Sequence, residues 1–268
     1  MSGPAVAEPT VRRRVEQVMG MPISLALRGR HADTLGGRLA WRAVMDELRE
    51  VDRVFSTYRE DSVISRMNRG ELSSTDGPAV VAEVLRLGRD ADQQSGGAFS
   101  IMLPTADGRR RLDPSGVVKG WATQRASRFL AALDDTDFCL SAGGDMVCRT
   151  VDPGRSAWRI GVEDPRDPGR LTAVIPLRNG AVATSGSAHR GDHLLDPRTG
   201  RVPAGVASVT VVADALTEAD IDATAAYVLG VDAVRWLQRR RIRSALVVWA
   251  DGSTTSVAGP TVRSTSAA

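Results

Sequence analysis

Apolar positions in this chain switch between two periods, and the switches mark out its elements. Val15, Gln17 and Met19 alternate with their neighbours, as do Ile23, Leu25 and Leu27. Alternation puts successive side chains on opposite faces of a strand. This opening segment therefore reads as a pair of strands, or one long bent strand, with Gly20 and Pro22 at the break. The period then lengthens. Trp41, Val44, Leu48, Val51 and Phe55 share one helical face, and Asp33-Thr34 supplies a cap, which predicts a helix over 36–55. A second helix starts at Asp76-Gly77-Pro78, carries Val81, Val84, Leu85 and Ala91 on one face, and stops at Ser95-Gly96-Gly97. A third runs to about Leu133, with Ala122, Ala126, Phe129 and Leu130 inward and Lys119 at or near its start.

The second half is richer in strands. FCLSAGGDMVC reads as a hairpin, with Cys139 and Cys148 flanking the Gly143-Gly144 turn. These cysteines could face each other; a disulfide between them is disfavoured in a reducing compartment. Trp158–Val162, Leu171–Leu177 and Val206–Ala213 are further strands. ADIDATAAYVLG predicts a helix ending at Gly230, and 231–241 predicts a last amphipathic helix. SALVVW, the Asp251-Gly252 turn and STTSVA close the chain's folded part as a hairpin. Two stretches stay polar: 56–70, which carries Tyr58, and 181–200, which crowds Thr184, Ser185, His189, Asp192, His193, Asp196 and Arg198 together. The elements do not alternate as βαβ units, so the prediction is an α+β single domain, with antiparallel or mixed sheets packed against helices. Residues 15–259 form that domain, 1–14 a flexible N-terminus and 260–268 a disordered tail.

Composition narrows the function. The 268 residues are 42% hydrophobic and 25% charged, ordinary values for a globular protein. Net charge is +3, aromatics are 4%, and the arginine runs at 12–14, 109–111 and 239–241 are not interleaved with them, so no nucleic-acid partner is expected. No run of about 18 apolar residues predicts a membrane span. The first residues have no apolar signal core and no lipid-attachment cysteine, which gives a cytoplasmic expectation.

Lys119 is the only lysine in the chain; every other cation in the total of 35 is arginine. An ammonium is compact where a guanidinium is a broad fork, so a tight site for one buried acceptor or a phosphate would keep lysine and reject arginine. The alternative is one chance surface lysine. Asp113 and Ser115-Gly116 beside it, and its place near a helix start that favours anions, support the first reading. Asp220 and Thr224 lie four apart on one helix face and can both ligate a hard cation such as Mg²⁺, although spacing alone favours a plain N-terminal charge and a helical threonine. Tyr58 could stack on a flat ligand or cover a core edge. Gly96-Gly97, ahead of Ala98-Phe99-Ser100, could admit a ligand or end a helix. His193, amid hydroxyls and carboxylates, is a candidate acid or base.

MGM at 19–21, STYREDSVISRMNRG, SGGAF, LDPSGVVKGWA, SAGGD, AVATSG, HLLDPRTG and ADIDATAAYVLG, in this order, resemble the FAD:protein FMN transferase family, the ApbE flavin transferases. The resemblance implies a Mg²⁺-dependent enzyme that cuts FAD at its pyrophosphate. Such enzymes pass FMN to a Ser or Thr hydroxyl of a client flavoprotein and release AMP. It further implies a cation held by Asp220, Thr224 and the Gly116 carbonyl. Flavin contacts map to Met19, Tyr58, Ala98, Phe99, Ser100, Asp113, Lys119 and Leu194. His193, Lys119 and Asp220 become the catalytic set. The chain departs from the family at Ser100, at Ser187-Ala188, at Met21 and at Ala223, where the family sometimes has a further oxygen side chain near the metal. Two rival outcomes are an FAD pyrophosphatase that uses water as acceptor, and an FAD-binding protein without turnover.

Overall fold

The computed structural model describes residues 10–105, 107–186 and 195–259. Its centre is an eight-stranded sheet in which every neighbouring pair is antiparallel. In chain order the strands are β1 (Arg12–Val18), β2 (Met21–Gly29), β5 (Thr136–Ala142), β6 (Asp145–Arg149), β9 (Gly180–Gly186), β10 (Val206–Ala213), β11 (Ser244–Trp249) and β12 (Thr254–Ala258). They lie side by side in that same order. Two short ribbons stand apart: β3 (Met102–Pro104) with β4 (Arg110–Leu112), and β7 (Trp158–Asp164) with β8 (Asp167–Leu177). The opening segment is thus a hairpin rather than one bent strand. Met19 and Gly20 both take positive φ, the left-handed pair that a tight two-residue hairpin demands. β1 begins at Arg12, ahead of the expected domain start at 15.

One sheet face carries Ile23, Leu25, Leu27, Phe138, Leu140, Val147, Ala181, Ala183, Val209 and Val211, all buried in the main core. Against it lie α1 (Leu35–Phe55), α4 (Ser115–Ala126) and α6 (Leu216–Leu229). α1 starts where Thr34 accepts from the Gly37 amide at 3.4 Å, and its Trp41, Val44, Leu48, Val51 and Phe55 are buried as their spacing predicts. α3 (Ala79–Ser95) ends at Gly96, whose left-handed conformation (φ 61°) terminates the helix. On the opposite sheet face a smaller cluster, Cys148, Ile160, Leu177, Val182 and Val212, joins the sheet to the β7–β8 ribbon. Cys139 and Cys148 are direct cross-strand partners and free thiols, their Sγ atoms 3.4 Å apart.

Several elements differ from the sequence prediction, which places no strand at β3 or β4. α2 (Val63–Asn68) sits inside the polar 56–70 stretch; Ile64 is its one buried residue, so no apolar stripe announces it. β9 occupies the start of the second polar stretch, where AVATSG buries Ala181, Val182, Ala183 and Ser185. The helix expected to reach Leu133 is α4, followed after Ser127 by the short α5 (Arg128–Ala131). The last helix is only a 3₁₀ turn at 230–232 and α7 (Ala233–Leu237). Among the described residues no helix is long and apolar enough to cross a membrane. The expected tail, 260–268, lies outside the described residues.

Candidate functional site

α4 and α6 cross unusually closely. A Cβ added at Gly120 would stand 2.9 Å from both Asp220 Cβ and the Leu216 carbonyl oxygen, so this contact requires glycine. The crossing is held in register by Gln124 of α4, whose side-chain oxygen accepts from the Leu216 amide at 2.8 Å. That bond satisfies a donor at the start of α6, which has no side-chain cap of its own. The consequence is that Asp220, one turn into α6, is pressed against α4 beside Lys119.

Lys119 sits between two carboxylates. Its Nζ contacts Asp145 Oδ2 and lies 3.2 Å from Asp220 Oδ1. Asp145 is 1% and Asp220 2% exposed, so both charges have left water. Burying a carboxylate is costly unless a cation and hydrogen bonds compensate it. Asp145 has both: the lysine on one oxygen and, on the other, the Thr184 amide at 2.9 Å. Asp220 has the lysine beside Oδ1 and the Gly120 amide as a further donor, but its buried Oδ2, like Oδ2 of Asp145, makes no well-formed hydrogen bond among the described residues. Burial therefore pushes the Asp220 carboxyl up to about 7; Lys119 opposes this and the Asp145 charge adds to it. The two carboxylates hold the Lys119 ammonium well above the usual lysine range, outweighing its own burial. The anions that meet the ammonium in the fold are these two carboxylates.

That orphan oxygen is the place to ask whether a metal fits. With both carboxylates ionised, two negative charges face one positive, leaving a net negative site. One turn along α6, the Thr224 hydroxyl lies 3.1 Å from the Ser185 hydroxyl of β9. Gly116 is one turn before Gly120 on α4, and its α-carbon faces the Phe99 ring: an added Cβ would lie 3.2 Å from it. Among the described residues no group of three or more His, Cys, Asp or Glu gathers around a common point. A carboxylate oxygen, a hydroxyl and a backbone carbonyl are oxygen donors that suit Mg²⁺, which completes its shell with water and phosphate. The residues present fit such an ion.

The other candidates are distributed as follows. Asp113 stands at the start of α4, where its Oδ1 accepts from the Ser115 amide at 3.1 Å and the Ser115 hydroxyl at 2.6 Å. Asn68 of α2 holds the residue before it, donating to the Leu112 carbonyl and accepting from the Leu112 amide, each at 2.9 Å. Ala98, Phe99 and Ser100 are buried; the Ser100 hydroxyl is used in a local turn with Met102. Tyr58 is 96% exposed and lines a surface groove of about 250 Å³ with Thr57, Asn68 and Arg111. Met19 packs on the core edge at the β1–β2 turn in a left-handed conformation (φ 56°), unusual for a residue with a side chain. His193 and Leu194 lie outside the described residues.

Sequence reasoning missed Asp145 and Asn68. Asp145 follows the Gly143-Gly144 turn and opens β6, so the SAGGD string held a signal: an acid immediately after a tight turn, on the side that alternation assigns to the core. Asn68 gave none, because its role depends on the meeting of α2 with β4.

A sequence model of the ApbE family matches residues 19–107 and 102–247. The FAD:protein FMN transferase of Haemophilus influenzae is 26% identical over 245 residues, covering 69% of this chain and 71% of that protein. That of Salmonella typhimurium is 27% identical over 151 residues, 53% of this chain and 43% of the protein, so the match spans less than half of that relative. The crystal structure of the ApbE protein from Thermotoga maritima superimposes with a TM-score of 0.80 at 22% identity, covering 92% of this chain and 97% of that one. The flavin transferase ApbE from Vibrio cholerae gives 0.77 at 20% identity, covering 93% and 98%. Lys119, Asp145 and Asp220 all fall inside the matched segments, and the chain belongs to the ApbE family.

Proposed function

We propose that this protein is an FAD:protein FMN transferase that cleaves FAD between its phosphates and passes FMN to a Ser or Thr hydroxyl of a client flavoprotein, releasing AMP. The observation that carries the proposal is the buried cluster in which the only lysine is shared by two carboxylates, with Asp220 Oδ2 making no well-formed hydrogen bond among the described residues. With both carboxylates ionised this oxygen-lined site carries a net negative charge that a divalent cation would neutralise, and such a cation would in turn bind an anionic diphosphate. The reading is supported by the relatives that match the chain, which are named FAD:protein FMN transferases.

Phosphoryl transfer depends mainly on positioning and charge neutralisation. Asp220 and Thr224, with the Gly116 carbonyl, are the residues that would hold Mg²⁺. When bound, the ion supplies Lewis-acid polarisation of the phosphate oxygens. Lys119 offsets negative charge at the same place, and its two carboxylate partners keep it protonated throughout the working pH range. Asp113, fixed at the start of α4 through Ser115, presents its remaining carboxylate oxygen as a hydrogen-bond acceptor for the flavin ring. Exposed Tyr58 offers an aromatic face to the same ring, and Met19 and the 98–100 segment frame it. His193 is the candidate to take the proton from the attacking hydroxyl.

Incubation with FAD, Mg²⁺ and a flavoprotein acceptor tests this. Chromatography should find AMP, and mass spectrometry should find the acceptor heavier by one FMN. AMP and free FMN without acceptor modification would assign a pyrophosphatase instead. Bound FAD with no AMP would assign a binder.

A further inference from the structure

Asp145 is assigned no part in the reaction above, yet it is the closer of the two carboxylates to the Lys119 ammonium. It is anchored independently of that ammonium, because its other oxygen accepts from the Thr184 amide of β9. We propose that Asp145 is a positioning residue that holds Lys119 off Asp220, so that the Asp220 carboxylate stays open to a divalent cation. The inference rests on the metal reading of Asp220 and extends it to a residue of a different strand.

The argument is one of competition for a single carboxylate. An ammonium 3.2 Å from Asp220 Oδ1 already neutralises part of the charge a metal would use. If Lys119 had no other partner, it would settle fully on Asp220 and exclude a second cation. Asp145 prevents this by offering a second buried anion on the far side of the ammonium. The geometry records the division: Oδ1 of Asp220 lies 3.2 Å from the lysine, and Oδ2 makes no well-formed hydrogen bond among the described residues. An arriving divalent ion at Oδ2 would repel Lys119 towards Asp145, which receives it without new desolvation. Asp145 also sets the site's net charge. With both acids ionised the cluster carries one excess negative charge; without Asp145 it carries none.

Mn²⁺ affinity, followed by electron paramagnetic resonance of the free ion in the absence of FAD, tests the proposal without relying on turnover. Asp145→Asn preserves size and the acceptor for the Thr184 amide, and should weaken Mn²⁺ binding by about 10- to 100-fold, the usual range when a group that orients a metal ligand is lost. Lys119→Met removes the competitor and should tighten binding relative to wild type. The double variant Lys119→Met/Asp145→Asn restores the wild-type net charge, and its affinity should return to within about threefold of wild type. A merely structural role for Asp145 would not be rescued by removing its partner. Thermal melts of each variant establish that it is folded. Wild-type affinity in folded Asp145→Asn, or a double variant as weak as Asp145→Asn alone, overturns the inference. Equal Mn²⁺ binding by wild type and Asp220→Ala overturns the metal reading beneath it, a distinct result.

Discussion

Gly120→Ala is a one-methyl change that should damage the proposed site without removing a polar atom. The new methyl group would lie 2.9 Å from Asp220 Cβ, 2.9 Å from the Leu216 carbonyl oxygen and 3.0 Å from Asp220 Oδ2. Carbon atoms prefer about 3.5–4.0 Å, so the helices must part by roughly 0.5–1 Å. Two of the three obstacles, the Leu216 carbonyl and Asp220 Cβ, belong to or are fixed by the backbone, so the strain reaches the backbone of α6. Overpacking of this kind costs about 1–3 kcal/mol. Replacing a helical glycine by alanine returns about 1 kcal/mol in propensity. The net loss is then about 0–2 kcal/mol, a fall in Tm of no more than about 8 °C for a domain of this size. The effect on function should be larger, because the atom pushed is Asp220 itself. A misplacement near 1 Å can cost on the order of 100-fold in rate. FMN transfer and Mn²⁺ affinity, measured beside a thermal melt, should therefore fall much further than stability. A folded Gly120→Ala variant with wild-type turnover and Mn²⁺ affinity would refute the reasoning.

Other consequences are open to direct measurement. Asp220→Ala should lower FMN transfer by about 10³-fold, the scale of several kcal/mol of lost charge stabilisation, while circular dichroism stays native because Lys119 keeps Asp145 as partner; normal turnover would remove the metal assignment. Asp222 is pushed up to about 6 by burial, against the pull of Arg240 2.9 Å away. Between about pH 4 and 6 the native chain therefore keeps a proton that the unfolded chain has shed, and this site's contribution to stability falls as pH rises. Urea unfolding of Asp222→Asn should gain on wild type across that window, by up to about 3 kcal/mol, and by no more above it; a constant difference would contradict this. Cys139 is half-buried and its thiol is held below the usual range by a hydrogen bond from Cys148, whereas Cys148 is buried and pushed up by that bond and by desolvation. A brief maleimide pulse followed by peptide mass mapping should find Cys139 modified first, and the reverse order would contradict the assignment.

The elements legible in the sequence are those whose burial is one-sided. α1 presents a clean apolar stripe and a threonine cap, so its bounds were readable to within a residue. β2, β5 and β6 alternate around the buried main core, and the Gly143-Gly144 turn announces the hairpin between β5 and β6. α2 and β9 were hidden for opposite reasons. α2 buries little, and β9 buries small and hydroxylated residues that resemble a loop, among them Ser185 facing Thr224. The candidate site was half legible. Lys119 stood out because lysine is otherwise absent, and Asp220 with Thr224 because helical spacing aligns them. Their meeting could not be read, because it depends on Gly120 letting α4 and α6 touch. For Asp145 the SAGGD string signalled a buried acid, but nothing local says which cation a strand-end acid will find.

The central claim is that Asp220 holds a divalent cation beside Lys119. Anomalous diffraction from crystals soaked in Mn²⁺ tests it most directly. The account predicts a single strong peak within bonding distance of Asp220 Oδ2 and the Thr224 hydroxyl, with Lys119 still paired to Asp145. A peak elsewhere, with Asp220 free of metal, would contradict it.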